Sequence, residues 1–210
     1  NITTAAGDVA EFFATGTNTV QCVNYTKADG TAVVAAAGGA WTLIGTSAAS
    51  DSATLDQTGL TSTYDNFCIM LSDIITANDG VNIYWRMGDS GGIDSGGSDY
   101  GFIASETLVG GDQALTSTAS DSKGRLNHNS IGNVTNEGLS ATMFINYNNA
   151  TTLLPSLQGQ ATYTTSAGTF AISDFMGVRT SSIVFDRIQF LAQTGNITSG
   201  RLTVWGISHA

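Results

Sequence analysis

Ser181-Ser-Ile-Val-Phe-Asp-Arg-Ile-Gln-Phe-Leu-Ala-Gln193, then Thr194-Gly-Asn-Ile-Thr-Ser-Gly200, then Arg201-Leu-Thr-Val-Trp-Gly-Ile-Ser208 is the stretch that decides the fold class. It reads as a strand-like run, a glycine-flanked turn and a last strand. A chain that closes in this way predicts a buried hairpin and a self-contained β module. Working back from it, alternation with period two dominates. Val81, Ile83, Trp85 and Met87 share one strand face, with Asn82, Tyr84 and Arg86 on the other. Leu139, Ala141, Met143, Ile145 and Tyr147 alternate in the same way with Ser140, Thr142, Phe144 and Asn146. In Tyr64 to Leu71, Phe67, Ile69 and Leu71 fall together with Cys68 and Met70 opposite, so both faces of that strand are expected to be covered, as in the middle of a sandwich.

Further strands are expected at Thr19–Asn24, Thr31–Ala36, Ala40–Thr46, Ser52–Gln57, Tyr100–Ser105, Ala161–Thr165 and Thr169–Ile172. The turn signals between them include Asp29-Gly30, Gly38-Gly39, Asp79-Gly80, Gly110-Gly111 and Asn148-Asn149. Strands at this spacing predict an all-β, antiparallel β-sandwich, jelly-roll-like. Near Asp8–Phe13, the helical offsets of Val9, Phe12 and Phe13 suggest a short helix or turn. There is no repeat period of solenoid length.

Composition agrees. The 210 residues include 25 Gly, one Pro (Pro155) and only 11% charged residues, poor material for the charged outer faces of helices. A chain of this length buries roughly 70% of its unfolded surface, enough for a core without staples. Its net charge of −10 repels phosphate backbones and anionic headgroups, which argues against direct nucleic-acid or membrane binding. No stretch approaches the ~20 apolar residues of a membrane span. With so little charge, solubility rests on hydroxyls, Asn and Asp, a style common on secreted or virion-exposed β proteins. The chain begins at Asn1 without Met, as a processed or trimmed product would.

The bland run Ala32–Gly39 gives way to better patterned sequence at Trp41, which divides the chain into 1–39 and 40–210. Residues 1–39 form either an attachment and oligomerisation arm or the first strands of the sandwich. Cys22 and Cys68 leave pairing open, since sequence does not fix their separation. Cys68, within Phe67-Cys-Ile-Met-Leu71, reads as a small buried hydrophobe.

Chemistry-bearing residues are few. The loop Asp89-Ser-Gly-Gly-Ile-Asp94-Ser-Gly-Gly-Ser-Asp99-Tyr100 offers three carboxylates, so Asp89, Asp94 and Asp99 are the calcium candidates. Their spacing of five is wrong for an EF-hand, and a solvated loop with Asp and Ser capping its turns is the alternative. Tyr100, at the end of that loop, is the candidate surface contact. His128 and His209 stand apart, with no nucleophile elbow around any serine and too few His and Cys for zinc. Glu11, Glu106 and Glu137 are possible members of a glycosidase pair that nothing in the sequence selects. Trp41, Trp85 and Trp205 lie within strand patterns, which favours core or subunit packing over a sugar platform. Tyr84, Phe144 and Trp205 are bulky residues on strand faces that should be polar, and are the candidate oligomer contacts.

Four stretches carry a resemblance. They are Trp41-Thr-Leu-Ile-Gly-Thr-Ser-Ala-Ala-Ser50; Gly59-Leu-Thr-Ser-Thr-Tyr-Asp-Asn-Phe67; Arg86-Met-Gly-Asp-Ser-Gly-Gly92 continuing to Ser98-Asp-Tyr100; and Ile188-Gln-Phe190 through Gly195–Gly200 to Leu202-Thr-Val-Trp-Gly-Ile207. In this order they resemble a diffuse family of tailed-bacteriophage virion proteins, the tail-fibre, head-fibre and decoration type. The resemblance runs from Trp41 to Ile207. It implies a jelly-roll-like sandwich on the virion surface, assembled as a homo-oligomer, foremost a trimer, that contacts other virion proteins and a host-surface glycan and carries no catalytic site or cofactor. Residues 1–39 fall outside it, which suits an attaching arm. Trp205 stands where the family commonly has tyrosine.

The expected function is therefore non-enzymatic: a phage surface structural protein in capsid decoration or host adsorption. The alternatives are a secreted carbohydrate-binding module and a polysaccharide-degrading enzyme.

Overall fold

Alternation along the strand Ile83–Asp89 turns Ile83, Trp85 and Met87 inward, where all three are fully buried. That pattern repeats throughout a structure without a described helix. The computed structural model describes residues 6–29, 40–146 and 153–208. The chain divides into two compact units, Asn1–Gly39 and Ala40–Ala210.

In the first unit, β1 (Val9–Gly16) and β2 (Thr19–Thr26) form an antiparallel hairpin. The short helix expected at Asp8–Phe13 is thus a strand. Ala10, Phe12 and Ala14 face Tyr25, Cys22 and Val20 across the ladder, and an isolated helix of this length would be marginal. Asp8 fastens the open end, accepting from the Tyr25 hydroxyl and from the Ala28 amide at 3.0 Å. The expected strand Thr31–Ala36, Tyr147 and the Asn148-Asn149 turn lie outside the described residues.

The second unit runs β3 (Trp41–Ser52), β4 (Thr54–Thr58), β5 (Asn66–Thr76), β6 (Ile83–Asp89), β7 (Gly92–Ile93), β8 (Tyr100–Leu108), β9 (Gln113–Asp121), β10 (Gly124–Arg125), β11 (Gly138–Asn146), β12 (Ser156–Thr164), β13 (Phe170–Arg179), β14 (Arg187–Ala192) and β15 (Ile197–Ile207). Among the described residues an eight-stranded sheet, in the order β3-β15-β5-β11-β12-β13-β8-β9, packs on a smaller one, β10-β6-β14-β4 with β7 beside β6. All pairings are antiparallel, and the architecture is the sandwich that the period-two pattern predicts.

The closing stretch is not a hairpin. Strand β14 lies between β6 and β4 in the smaller sheet, and β15 lies between β3 and β5 in the larger, so the glycine turn carries the chain from one layer to the other. Gly195 there has φ +73°, and Asn196 donates to the Asp51 carbonyl at 3.0 Å. A hairpin and an inter-layer arch share one local pattern; the partners available to each strand decide between them. Upstream, Ser181–Asp186 is loop. Phe185 nonetheless reaches the core, edge-to-face on Phe67 at 5.8 Å.

The core lies between the layers. Phe67, Ile69, Met143, Ile145, Leu157, Phe175 and Val204 from the larger sheet meet Leu55, Ile83, Trp85, Met87, Ile188 and Phe190 from the smaller. The Trp85 indole lies against two glycines. A Cβ on Gly124 would come within 2.0 Å of it, and one on Gly177 within 2.5 Å.

Candidate interaction face

With the inner side of the larger sheet spent on the core, its outer side is set by the other half of each alternation. Register aligns one residue per strand into a row: Leu43, Trp205, Cys68, Phe144, Gln158, Met176, Ile103 and Ser117. An outer sheet face should be polar. This row is mostly apolar and open, with Leu43 57%, Met176 50%, Ile103 44% and Phe144 36% exposed. Trp41, from the adjoining row, meets Phe144 edge-to-face at 6.3 Å. That contact spans β15 and β5, and Cys68, in the row beneath its path, is buried. Burial pushes the Cys68 thiol pKa up. Both Cys22 and Cys68 are free thiols.

The row changes character along its length. Its β3–β15–β11 end carries the bulky Leu43, Trp205 and Phe144. Its β12–β13–β8 end is a groove of about 650 Å³ lined by Phe144, Gln158, Gln160, Asp174, Met176 and Ile103. Asp174 accepts from Gln160 Nε2 at 2.9 Å.

Two of the three expected oligomer contacts, Phe144 and Trp205, therefore share this row. Tyr84 does not: it lies in the other sheet, is 8% exposed, and carries the Lys123 ammonium 4.6 Å above its ring. Met70 departs from expectation in the opposite sense, being exposed where both faces of its strand were expected to be covered.

Tyr100 is a correction as well. It is fully buried, stacked edge-to-face on Trp85 at 5.2 Å. Its hydroxyl accepts from the Met87 amide at 2.8 Å and lies within donating distance of the Met87 and Asp94 carbonyls at 2.9 and 3.0 Å. Alternation on β8 turns it inward, and the loop carbonyls satisfy its polar end. Burial raises its pKa well above the usual tyrosine range.

The Asp/Gly loop is held by a cation from within the protein. Arg179 Nε pairs with Asp94 Oδ2 at 2.9 Å, and its Nη2 with Asp99 Oδ1 at 3.3 Å. Asp99 also accepts from the Gly96 amide at 2.6 Å, and Asp89 from Gly91 at 2.7 Å. Two of the three calcium candidates thus share a guanidinium while the third caps its own turn, and among the described residues no group of three or more potential ligands converges.

Glu106 is the most enclosed carboxylate named from the sequence. It accepts from the Tyr163 hydroxyl and from Asn129 Nδ2 at 2.5 Å. Nearby, Asn127 Oδ1 accepts from the Ile83 amide at 2.9 Å, and Arg125 donates to Asn82 Oδ1 at 2.7 Å and to the His128 carbonyl. Burial lowers the Arg125 pKa. This network bonds strand ends and loop together, and buried polar groups satisfied in this way fix a conformation. Glu137 accepts from the Val134 amide at 3.0 Å in a turn, and Glu11 lies on β1 in the other unit. Among the described residues His128 Nδ1 is enclosed without a partner, and His209 lies outside them.

Leu43, Met176 and Ile103 were not singled out in the sequence, yet a signal was there. Phe102-Ile103 and Phe175-Met176 are adjacent apolar pairs that break alternation, one residue inward and the next outward. No protein-family model, curated protein or solved structure matches the chain.

Proposed function

We propose that this chain is a non-enzymatic structural protein of a tailed-bacteriophage virion, exposed on the head or tail and working as a homo-oligomer, in decoration of the particle or in adsorption to the host. The observation that carries the reading is the outer row of the larger sheet, an exposed apolar surface on an acidic body with a closed apolar core between two layers. Apolar surface of this extent, rimmed by polar residues, marks a protein contact. The net charge of −10 keeps such a subunit off encapsidated nucleic acid. The resemblance of Trp41–Ile207 to virion proteins supplies the setting. Labelling purified particles with an antibody against the chain and imaging them tests it: decoration of capsid or tail is expected, and absence of the chain from purified particles overturns it.

One observation favours a second reading as a carbohydrate-binding module. A groove of about 640 Å³ beside β13 is lined by Asn136, Glu137, Thr162, Tyr163 and the exposed ring of Phe170, an aromatic with amide and carboxylate groups around it. A glycan bound there raises the melting temperature with concentration, as linkage requires, and Phe170→Ala removes the rise.

A further inference from the structure

The outer row is self-complementary. Trp205 on β15 and Ile103 on β8 stand at equal distances either side of the sheet's middle, which falls between β11 and β12, as do the recessed Cys68 on β5 and the exposed Met176 on β13. Resting on the homo-oligomeric reading above, we propose that two copies of this chain pack outer face to outer face about a two-fold axis running along the strands between β11 and β12. Such an axis lays β3 over the partner's β9, β15 over β8, β5 over β13 and β11 over β12, while each row stays over itself. Trp205 then faces the partner's Ile103, Cys68 the partner's Met176, and Phe144 the partner's Gln158, so the protruding Met176 of each copy meets the recess over the other's Cys68. An isologous contact requires this reciprocity.

Charge and area favour the same occupant. The row and its two neighbours, running Trp41–Ile207–Asn66–Asn146–Ser156–Val178 and Thr46–Thr203–Met70–Thr142–Gln160–Asp174–Ser105–Leu115, hold one charged side chain, Asp174. On a chain of net charge −10 this is a strip where two like copies approach without repulsion. Eight strands about 4.8 Å apart span roughly 34 Å, and three rows cover about 20 Å, hence roughly 700 Å² per copy. A standard specific interface takes about 800 Å² from each partner.

Analytical ultracentrifugation of the full chain is expected to give a dimer or an even multiple. Ile103→Glu and Met176→Lys alter exposed side chains, so the fold, checked by circular dichroism, should persist while association weakens at least about 30-fold. Placement of the axis is read with Leu43→Cys and Ser117→Cys in one chain lacking Cys22 and Cys68, using a short bis-maleimide. These positions lie on opposite edge strands, about 34 Å apart within one copy, so a cross-link joins two copies. A trimer, an oligomer indifferent to both charge variants, or failure to cross-link overturns the proposed face and leaves the homo-oligomer standing. A monomer at every concentration overturns both, and particle imaging still reads the virion assignment separately.

Discussion

The two outer faces of the sandwich obey the same alternation and do opposite things with it. On the smaller sheet the outward residues Arg86, Gln189 and Asp56 align in one row. Each is bonded: Gln189 Nε2 donates to Asp56 Oδ1 at 2.9 Å, Thr54 to Asp56 Oδ2 at 2.5 Å, and Arg86 Nε to the Ser122 carbonyl at 3.0 Å. On the larger sheet the equivalent positions hold Leu43, Trp205, Phe144, Met176 and Ile103. Folding does not require the second pattern, since the core is complete without it. Leaving apolar area in water forgoes about 25 cal/mol per Å², which only a partner recovers. One face is finished within the chain; the other, on the proposal above, is finished by association.

The largest effect on this comparison comes from the layer both faces share. Gly124→Ala drives a methyl to 2.0 Å from the fully buried Trp85 ring, and the two residues are paired across the β10–β6 ladder. A loss of about 3 kcal/mol in urea unfolding is expected, at the upper end of overpacking. A loss below about 1 kcal/mol would show that the indole slot yields and that the faces rest on a softer layer. Next comes Arg179→Met, which strips the shared cation from Asp94 and Asp99. Breaking a fully buried pair costs about 3–5 kcal/mol; with the carboxylates a quarter exposed, about 2 kcal/mol is expected. Calcium should leave the melting temperature of the unaltered chain unchanged, because the guanidinium already neutralises these groups.

Alkali separates the units. Tyr100 has its pKa raised by burial, so its contribution is complete below about pH 10, the unfolded value, and is lost as pH climbs through the higher folded value. Tyr25, pushed up to about 12 by its hydrogen bond to Asp8, follows the same sign in the hairpin. Ultraviolet titration should therefore show Tyr25 and Tyr100 among the late-ionising tyrosines. Tyr25→Phe should remove one late-ionising group and leave that of Tyr100 in place.

Much of the fold was legible because strand alternation is local. Ile83–Met87 and Leu139–Ile145 face as their pattern predicts. What the pattern could not show was partnership. The strands β14 and β15 flank a glycine turn just as a hairpin would, and only competition from β6, β4, β3 and β5 sends them to different layers. Strand β9, Gln-Ala-Leu-Thr-Ser-Thr-Ala-Ser-Asp, went unread because an edge strand needs few apolar residues. At the candidate site Phe144 and Trp205 were legible as bulky residues in polar positions. Tyr84 had the same signature and a different fate, since whether Lys123 covers an outward ring depends on a loop distant in sequence. Tyr100 looked exposed beside a polar loop, but its strand parity, set by pairing with Arg179, points it inward.

The smallest effects divide the faces most cleanly. Phe144→Ser removes the edge-to-face contact with Trp41 and should cost the isolated subunit about 1 kcal/mol. It should also weaken association and open Cys68 to thiol reagents, because the ring that closes the row over β5 is gone. Asp56→Ala on the opposite face removes the acceptor of Thr54 and Gln189, both exposed to water that replaces it, so about 0.5 kcal/mol is expected. It should leave association and Cys68 reactivity as they were. If Asp56→Ala loosens the oligomer as much as Phe144→Ser does, the polar row is also a contact, and the division between a face finished within the chain and one finished by a partner fails.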